Sequence, residues 1–251
     1  MNHLIRSLVV STALYALSAT VIAAREQATG LEQRFNEARG AHFRVLFEGP
    51  EDQALARRVV EMLERQHSRI GQLLRSYPEG SIDVVLYTLQ QFQDVTRAPA
   101  WAAGAYDGVI RVPARGAGSQ LDDLERVLAH EFVHALVARV GGPEVPAWLN
   151  EGLAVVLEPG GSVDDMRQML ERGAGISPAL QTLHAGFGGM NATKAQLAYA
   201  VSAVAVQRML DRRGPDAVVV LLKDLAAGVS FPSAFRQRLA VPYEEFAARI
   251  Y

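Results

Sequence analysis

Residues 121–157 decide the fold and read LDDLERVLAHEFVHALVARVGGPEVPAWLNEGLAVVL. Apolar residues recur at helical spacing over 121–140 and again over 146–157. Gly141-Gly142-Pro143 lies between the two stretches. Glycine favours the left-handed cap that ends a helix and proline cannot continue the turn, so the sequence predicts two helices joined by a short loop. Such a loop lets the second helix return antiparallel to the first.

The first of these helices carries His130-Glu131-Phe132-Val133-His134. Residues four apart project from the same side of a helix, so both imidazoles can reach one ion. Glu131, about 100° round the axis, can reach a water bound to that ion. The alternative is a pair of core histidines that satisfy hydrogen bonds. The chain has 6 His in total, and two of them on one helical face beside a carboxylate favour metal ligation.

A third ligand is needed, because a catalytic zinc ion takes three protein ligands and leaves a fourth position to water. The chain has no cysteine, so the third ligand must be a His or a carboxylate. Residues 135–143 contain no His, which excludes a third His close behind the first two. Pro146 can begin the second helix, and its antiparallel return places Glu151 over the metal face of the first.

The two motifs, His-Glu-Phe-Val-His at 130–134 and Trp-Leu-Asn-Glu-Gly-Leu-Ala at 148–154, resemble those of the gluzincin zinc metallopeptidases, among them the peptidase MA-like proteins. The resemblance extends more loosely from about residue 42 to the C-terminus. It implies a zincin-like fold, Zn2+ held by His130, His134 and Glu151, and Glu131 as the general base. Some gluzincins orient a ligand with an aspartate four residues after the ligand glutamate, where this chain has Val155. The groups that orient the two imidazoles therefore stay open.

The same resemblance suggests Tyr199 as the group that stabilises the oxyanion, because gluzincin aminopeptidases carry a tyrosine downstream of their third ligand. A tyrosine half-buried in helix packing is the alternative. His184 and Tyr106 are weaker candidates for the same role.

Residues 104–110, Gly-Ala-Tyr-Asp-Gly-Val-Ile, are similar to the segment that lines the substrate cleft in gluzincin aminopeptidases, but they lack the amine-anchoring glutamate. Asp107 either replaces that glutamate or belongs to an Asp-Gly turn, and we favour the turn. We expect Glu158, Asp164 and Asp165 to cap helices, since they lie between the end of one predicted helix and the start of the next.

The remaining pattern predicts an α+β fold. Strands are expected at 41–47, 81–87 and 108–113, with helices at 55–74 and 90–97 and almost throughout after residue 120, among them 193–213 and 215–227. We therefore expect a small mixed sheet with the active-site helix in a first lobe, about 42–140, and an all-helical second lobe, about 141–251. The third strand ends in Pro113, which favours a sheet edge or a strand terminus. An edge would let an extended peptide pair with the strand.

Residues 1–24 have the features of a signal peptide: Arg6, a short apolar stretch over 8–21, and small residues before residue 25. An uncleaved anchor is the alternative, but the apolar run is shorter than the roughly 20 residues that span a bilayer. We predict a periplasmic or secreted protein with a single domain over 25–251. The net charge of −2 offers no basic surface for nucleic acid, and the mature chain should not be held in a membrane.

We predict zinc-dependent hydrolysis of peptide or protein substrates, with an endopeptidase or oligopeptidase favoured over an aminopeptidase. The main alternative is a zincin-fold binding or chaperone module whose zinc is structural. A helical scaffold with a coincidental pentapeptide would leave Asn150 and Glu151 unexplained. Substrate identity and oligomeric state stay open.

Overall fold

The computed structural model describes residues 35–98, 102–114, 121–173, 175–187 and 189–250. The predicted signal segment 1–24 lies outside these residues. The described strands are β1 Asn36–Arg39, β2 Phe43–Phe47, β3 Ile82–Leu86, β4 Ala105–Tyr106 and β5 Ile110–Val112. The described α-helices are α1 Gln53–Leu74, α2 Leu89–Thr96, α3 Leu121–Gly141, α4 Ala147–Leu157, α5 Val163–Arg172, α6 Ala192–Ala226, α7 Phe231–Leu239 and α8 Tyr243–Ala247. Short 3-10 helices occupy Pro50–Asp52 and Leu180–Leu183.

The five strands form one mixed sheet in the order β1-β2-β3-β5-β4. The pairs β2–β3 and β3–β5 are parallel, whereas β1 and β4 run antiparallel to their neighbours. Val45 pairs with Val84 and Val84 pairs with Ile110, and all three side chains are fully buried in the core that α1 and α3 also enter. The predicted small mixed sheet and the α+β class are confirmed.

The edge of the sheet is not where the sequence placed it. β5 lies between β3 and β4, so the expectation that 108–113 forms an edge strand is wrong. Pro113 instead follows the last residue of the strand, which was the other position open to it. The edge strand on this side of the sheet is β4, whose two residues are too few to produce a recognisable alternation. β1 was also not predicted, because Asn36–Arg39 is mostly polar and exposed.

Helix α3 is buried on most of its circumference, because it packs against α1, α4, α6 and the sheet. It ends at Gly141, and Gly142 adopts the predicted left-handed conformation with φ 71°. Pro146 precedes the first turn of α4 as expected. The loop from 142 to 146 thus brings α4 back against α3, and this packing positions the site.

The last long element was predicted as two helices, 193–213 and 215–227. In the structure these are the two arms of α6, which breaks at Gly214, where φ is 73° and ψ is 174°, before Pro215. The first arm is buried against α4 and α5. Elements from α4 onward are helical throughout the described residues, as expected for the second lobe. In the described part of the chain, no helix combines the length and apolarity needed to cross a membrane.

Candidate active site

His130, His134 and Glu151 meet where α3 and α4 pack together. One ligand atom from each residue lies within 4.8 Å of the others, and all three side chains are buried. The Nε2 atoms of His130 and of His134 are each 3.5 Å from the Oε2 atom of Glu151. The helical period and the antiparallel return of α4 therefore bring together the three residues that the sequence singled out.

The facing atoms of this triad suit a metal ion. The Nε2 atoms of both imidazoles and the Oε2 atom of Glu151 are buried and have no hydrogen-bond partner. A buried polar atom without a partner costs roughly 1–3 kcal/mol, so three such atoms converging on one point indicate a group that satisfies all of them. Two imidazole nitrogens and one carboxylate oxygen form a donor set that zinc accepts in catalytic sites.

The other nitrogen of each imidazole has a partner on α4. His130 Nδ1 lies 2.8 Å from Glu158 Oε2, and His134 Nδ1 lies 3.0 Å from Asn150 Oδ1. Both partners accept a hydrogen bond, so Nδ1 carries the proton and Nε2 is left for a metal. These contacts identify Glu158 and Asn150 as the groups that orient the two imidazoles, which the sequence left open because Val155 stands where some gluzincins have an orienting aspartate. Asn150 adjoins Glu151 in the second motif, but the sequence did not assign it to an imidazole.

Glu158 does not have the role that the sequence suggested. We expected it to cap the start of a helix, but it is the residue that ends α4, and its carboxylate is buried against His130. Seven residues separate it from Glu151, which is close to two helical turns, so both side chains lie on the same face of α4. Asp164 and Asp165 do lie in the first turn of α5, whose start Ser162 caps.

Contacts among the three residues shift the pKa of each of them. Burial lowers the pKa of His130, but its contacts with Glu151 and Glu158 outweigh burial and raise that pKa to about 10. Burial likewise opposes charge on His134, but Glu151 raises its pKa. Burial raises the pKa of Glu151, but the two imidazoles lower it to about 2. The carboxylates therefore favour protonation of both imidazoles in the metal-free protein, and protons compete with a metal ion for them.

Glu131 is fully buried one position after His130. Its charge acts on His130, His134 and Tyr199, so its carboxylate lies beside the triad. The segment just before β4 passes directly over it: a Cβ built on Gly104 would lie 2.5 Å from Glu131 Oε1. The carboxylate is thus held between α3 and the start of the edge strand.

Tyr199 comes from the first arm of α6 and is fully buried. Burial, the charges of Glu151 and Glu131, and a hydrogen bond that the hydroxyl donates to Glu151 raise the pKa of Tyr199 well above its ordinary value. Its ring packs edge-on against Phe187, with 5.0 Å between the ring centroids. Tyr199 therefore packs within the helical lobe, fully rather than half buried, and its hydroxyl reaches Glu151, while its role towards an oxyanion stays a prediction.

The weaker candidates lie elsewhere. His184 is exposed and packs edge-on against Phe231, so it is not part of the buried triad. Tyr106 is half-buried in β4, opposite Ile110. The carboxylate of Asp107 accepts a hydrogen bond from the backbone N–H of Val109 at 3.4 Å and pairs with Arg111, also at 3.4 Å. Asp107 therefore belongs to the turn between β4 and β5, as we favoured.

Residues 66–243 match the family model of the Peptidase MA superfamily. The structure is similar to that of native leukotriene A4 hydrolase from Saccharomyces cerevisiae, with 14% sequence identity and a TM-score of 0.49. That similarity covers 85% of this chain and 39% of the other, so this chain spans about two fifths of that protein. No curated protein gave a significant sequence match. Because the family match covers more than half of the chain and contains both motifs, the chain belongs to the Peptidase MA superfamily, as its gluzincin-like motifs predicted.

Proposed function

We propose that this protein is a zinc metallopeptidase in which His130, His134 and Glu151 hold the metal and Glu131 is the general base. One observation carries the proposal: three buried ligand atoms without hydrogen-bond partners face one another, and a buried glutamate lies beside them. Membership of the Peptidase MA superfamily supports a catalytic metal and a peptide or protein substrate.

The chemistry follows from the residues around the triad. Zinc bound there would lower the pKa of its water toward about 7 and polarise the scissile carbonyl. Glu131 would accept a proton from the attacking water and pass it to the leaving amine. Tyr199, whose raised pKa keeps its hydroxyl protonated, would turn its single O–H from Glu151 to the developing oxyanion. Glu158 and Asn150 hold the imidazoles in the orientation that ligation requires.

An extended peptide would pair with β4, the edge strand beside the base. The segment that leads into β4 lies against Glu131, so a substrate strand along this edge would pass close to the carboxylate. An aminopeptidase also needs an acid that anchors the terminal amine. Asp107, the acid suggested for that purpose, is engaged with Val109 and Arg111 in its own turn. This supports an endopeptidase or oligopeptidase.

A zincin-fold binding or chaperone module with structural zinc is the competing function. Structural zinc sites are closed by four protein ligands, and catalytic sites use three and keep a position for water. The triad supplies three, with Glu131 beside them, which favours catalysis. A periplasmic or secreted location stays a prediction.

Exchange of Glu131 for glutamine tests the proposal. Glu131→Gln keeps the size of the side chain but cannot accept the proton, so zinc content should be unchanged. Hydrolysis of casein or of a peptide library should fall by roughly 10⁴-fold, the upper end of the range for general-base catalysis. His134→Ala should instead lose zinc and activity together.

Elemental analysis and a chelator control accompany both variants. Cleavage by Glu131→Gln at the parent rate with zinc retained would exclude Glu131 as the base. A zinc-loaded parent protein that cleaves no member of the library would favour the binding module.

A further inference from the structure

Gly104 is buried at the point where the chain enters the edge strand β4, directly over Glu131. A Cβ built on Gly104 would lie 2.5 Å from Oε1 of Glu131 and 2.9 Å from both Cδ and Cγ. Carbon atoms do not approach an oxygen or another carbon this closely without one of them moving. A side chain at residue 104 and the present position of the Glu131 carboxylate therefore exclude each other.

The backbone of residue 104 does not itself require glycine. Eight described glycines, among them Gly108 and Gly142, have a left-handed φ that favours the absence of a side chain, and Gly104 is not one of them. An alanine at 104 would thus be free of backbone strain. The three atoms nearest to its methyl group would all belong to the Glu131 side chain, which can rotate away.

Glu131 is fixed at its other end. It belongs to α3, and its neighbours His130, Phe132 and His134 are fully buried. The helix cannot shift to relieve a clash without moving the triad, so the carboxylate would have to turn instead. A methyl group at 104 would therefore displace the base and leave the metal-facing atoms in place.

We propose that Gly104 is a positioning residue for Glu131: the absence of a side chain at 104 leaves the space in which the base carboxylate stands beside the triad. This inference rests on the proposed function for its kinetic consequence, but the contact itself does not depend on catalysis. Gly104 differs from a substrate-binding residue, because it affects kcat by positioning the general base.

Gly104→Ala tests this, with Gly189→Ala as the matched control. A Cβ on Gly189 meets nothing within 4 Å, and Gly189 also lacks a left-handed φ. We expect Gly104→Ala to retain the parent zinc content and the parent KM within a few-fold, while kcat falls by roughly 10²-fold or more, as for a lost general base. Gly189→Ala should match the parent in all three. Retention of kcat, loss of zinc, or a loss confined to KM would each overturn the proposal.

A second measurement does not need activity. Overpacking should lower the thermal midpoint of Gly104→Ala by about 2–4 °C. In a Glu131→Ala background, which removes the outer atoms of the glutamate, the same substitution should leave the midpoint unchanged. No drop in the parent, or an equal drop in both backgrounds, would overturn the proposal. A parent protein without hydrolytic activity would refute the proposed function, and the midpoints would still decide the role of Gly104.

Discussion

The contact between Glu158 and His130 predicts how zinc affinity depends on a residue that is not itself a ligand. Glu158→Gln keeps an oxygen that can accept the Nδ1 proton at 2.8 Å but removes a buried negative charge beside the metal site. Loss of such an orienting partner typically weakens metal binding by roughly 10–100-fold. With about 1.4 kcal/mol for each factor of ten, this corresponds to a loss of about 1.4–2.8 kcal/mol.

The size of that loss should depend on pH. Glu158 would stabilise zinc bound to His130, but it also helps to raise the pKa of His130 in the metal-free protein to about 10, and the bound proton would compete with the metal. The substitution weakens both effects. As pH falls, protons compete with zinc for His130 more strongly in the parent than in the variant, and this offsets the higher zinc affinity of the parent. The ratio of parent to variant affinity should therefore be larger at about pH 9 than at about pH 6.

Competition of the metal-free protein with a chelator of known affinity gives this ratio at each pH. Glu171→Gln, the same exchange at an exposed position of α5, should bind zinc like the parent and is the control. An unchanged affinity of Glu158→Gln across the pH range would refute a contribution of the Glu158 charge to zinc binding. A ratio that decreases as pH rises would refute the reasoning on proton competition.

Two further predictions concern stability. Gly152→Ala should lower the free energy of unfolding by about 1–3 kcal/mol in urea titrations, because its Cβ would lie 2.4 Å from the backbone oxygen of Ser202. A gain in stability, which the same exchange gives in an exposed helix, would contradict this prediction. His67 is buried and stacks on His42, and the Nδ1 atom of His42 lies within hydrogen-bond distance of Glu64. Burial and the charge of His42 lower the pKa of His67, and together they outweigh Glu64, which raises it. The unfolded chain therefore binds more protons at this position, and the zinc-loaded protein should lose stability as pH falls below about 6.5. His67→Phe should lose less over the same range, and equal losses would exclude His67 as a cause.

The metal triad could be predicted from sequence because two local regularities determine it. Helical period places His130 and His134 on one face, and a short glycine-proline loop returns α4 so that Glu151 faces them. The roles of Asn150 and Glu158 depend on how closely α4 packs on α3 and on where α4 ends, which the pattern of apolar residues does not fix. The sequence therefore left the orienting groups open and assigned Glu158 to a helix cap.

The sheet edge was mispredicted for a different reason. The order of strands depends on pairing between distant segments, and a two-residue strand such as β4 has no periodicity to reveal it. The approach of Gly104 to Glu131 likewise joins residues that are far apart along the chain. Such contacts appear only when the sheet is assembled.

The break in α6 has a consequence for the size and shape of the second lobe. A straight helix of 35 residues would extend about 52 Å, and a chain of this length folds into a body with a radius of gyration of only about 18 Å. The change of direction at Gly214 and Pro215 keeps both arms on the molecule. One arm delivers Tyr199 to the triad, and the other packs Leu222 and Ala226 against the glycine loop that follows α3. A single bent helix thereby contacts both members of the helix pair that carries the metal-facing atoms: its first arm lies against α4 at Gly152, and its second arm lies against the C-terminal end of α3 at Gly141.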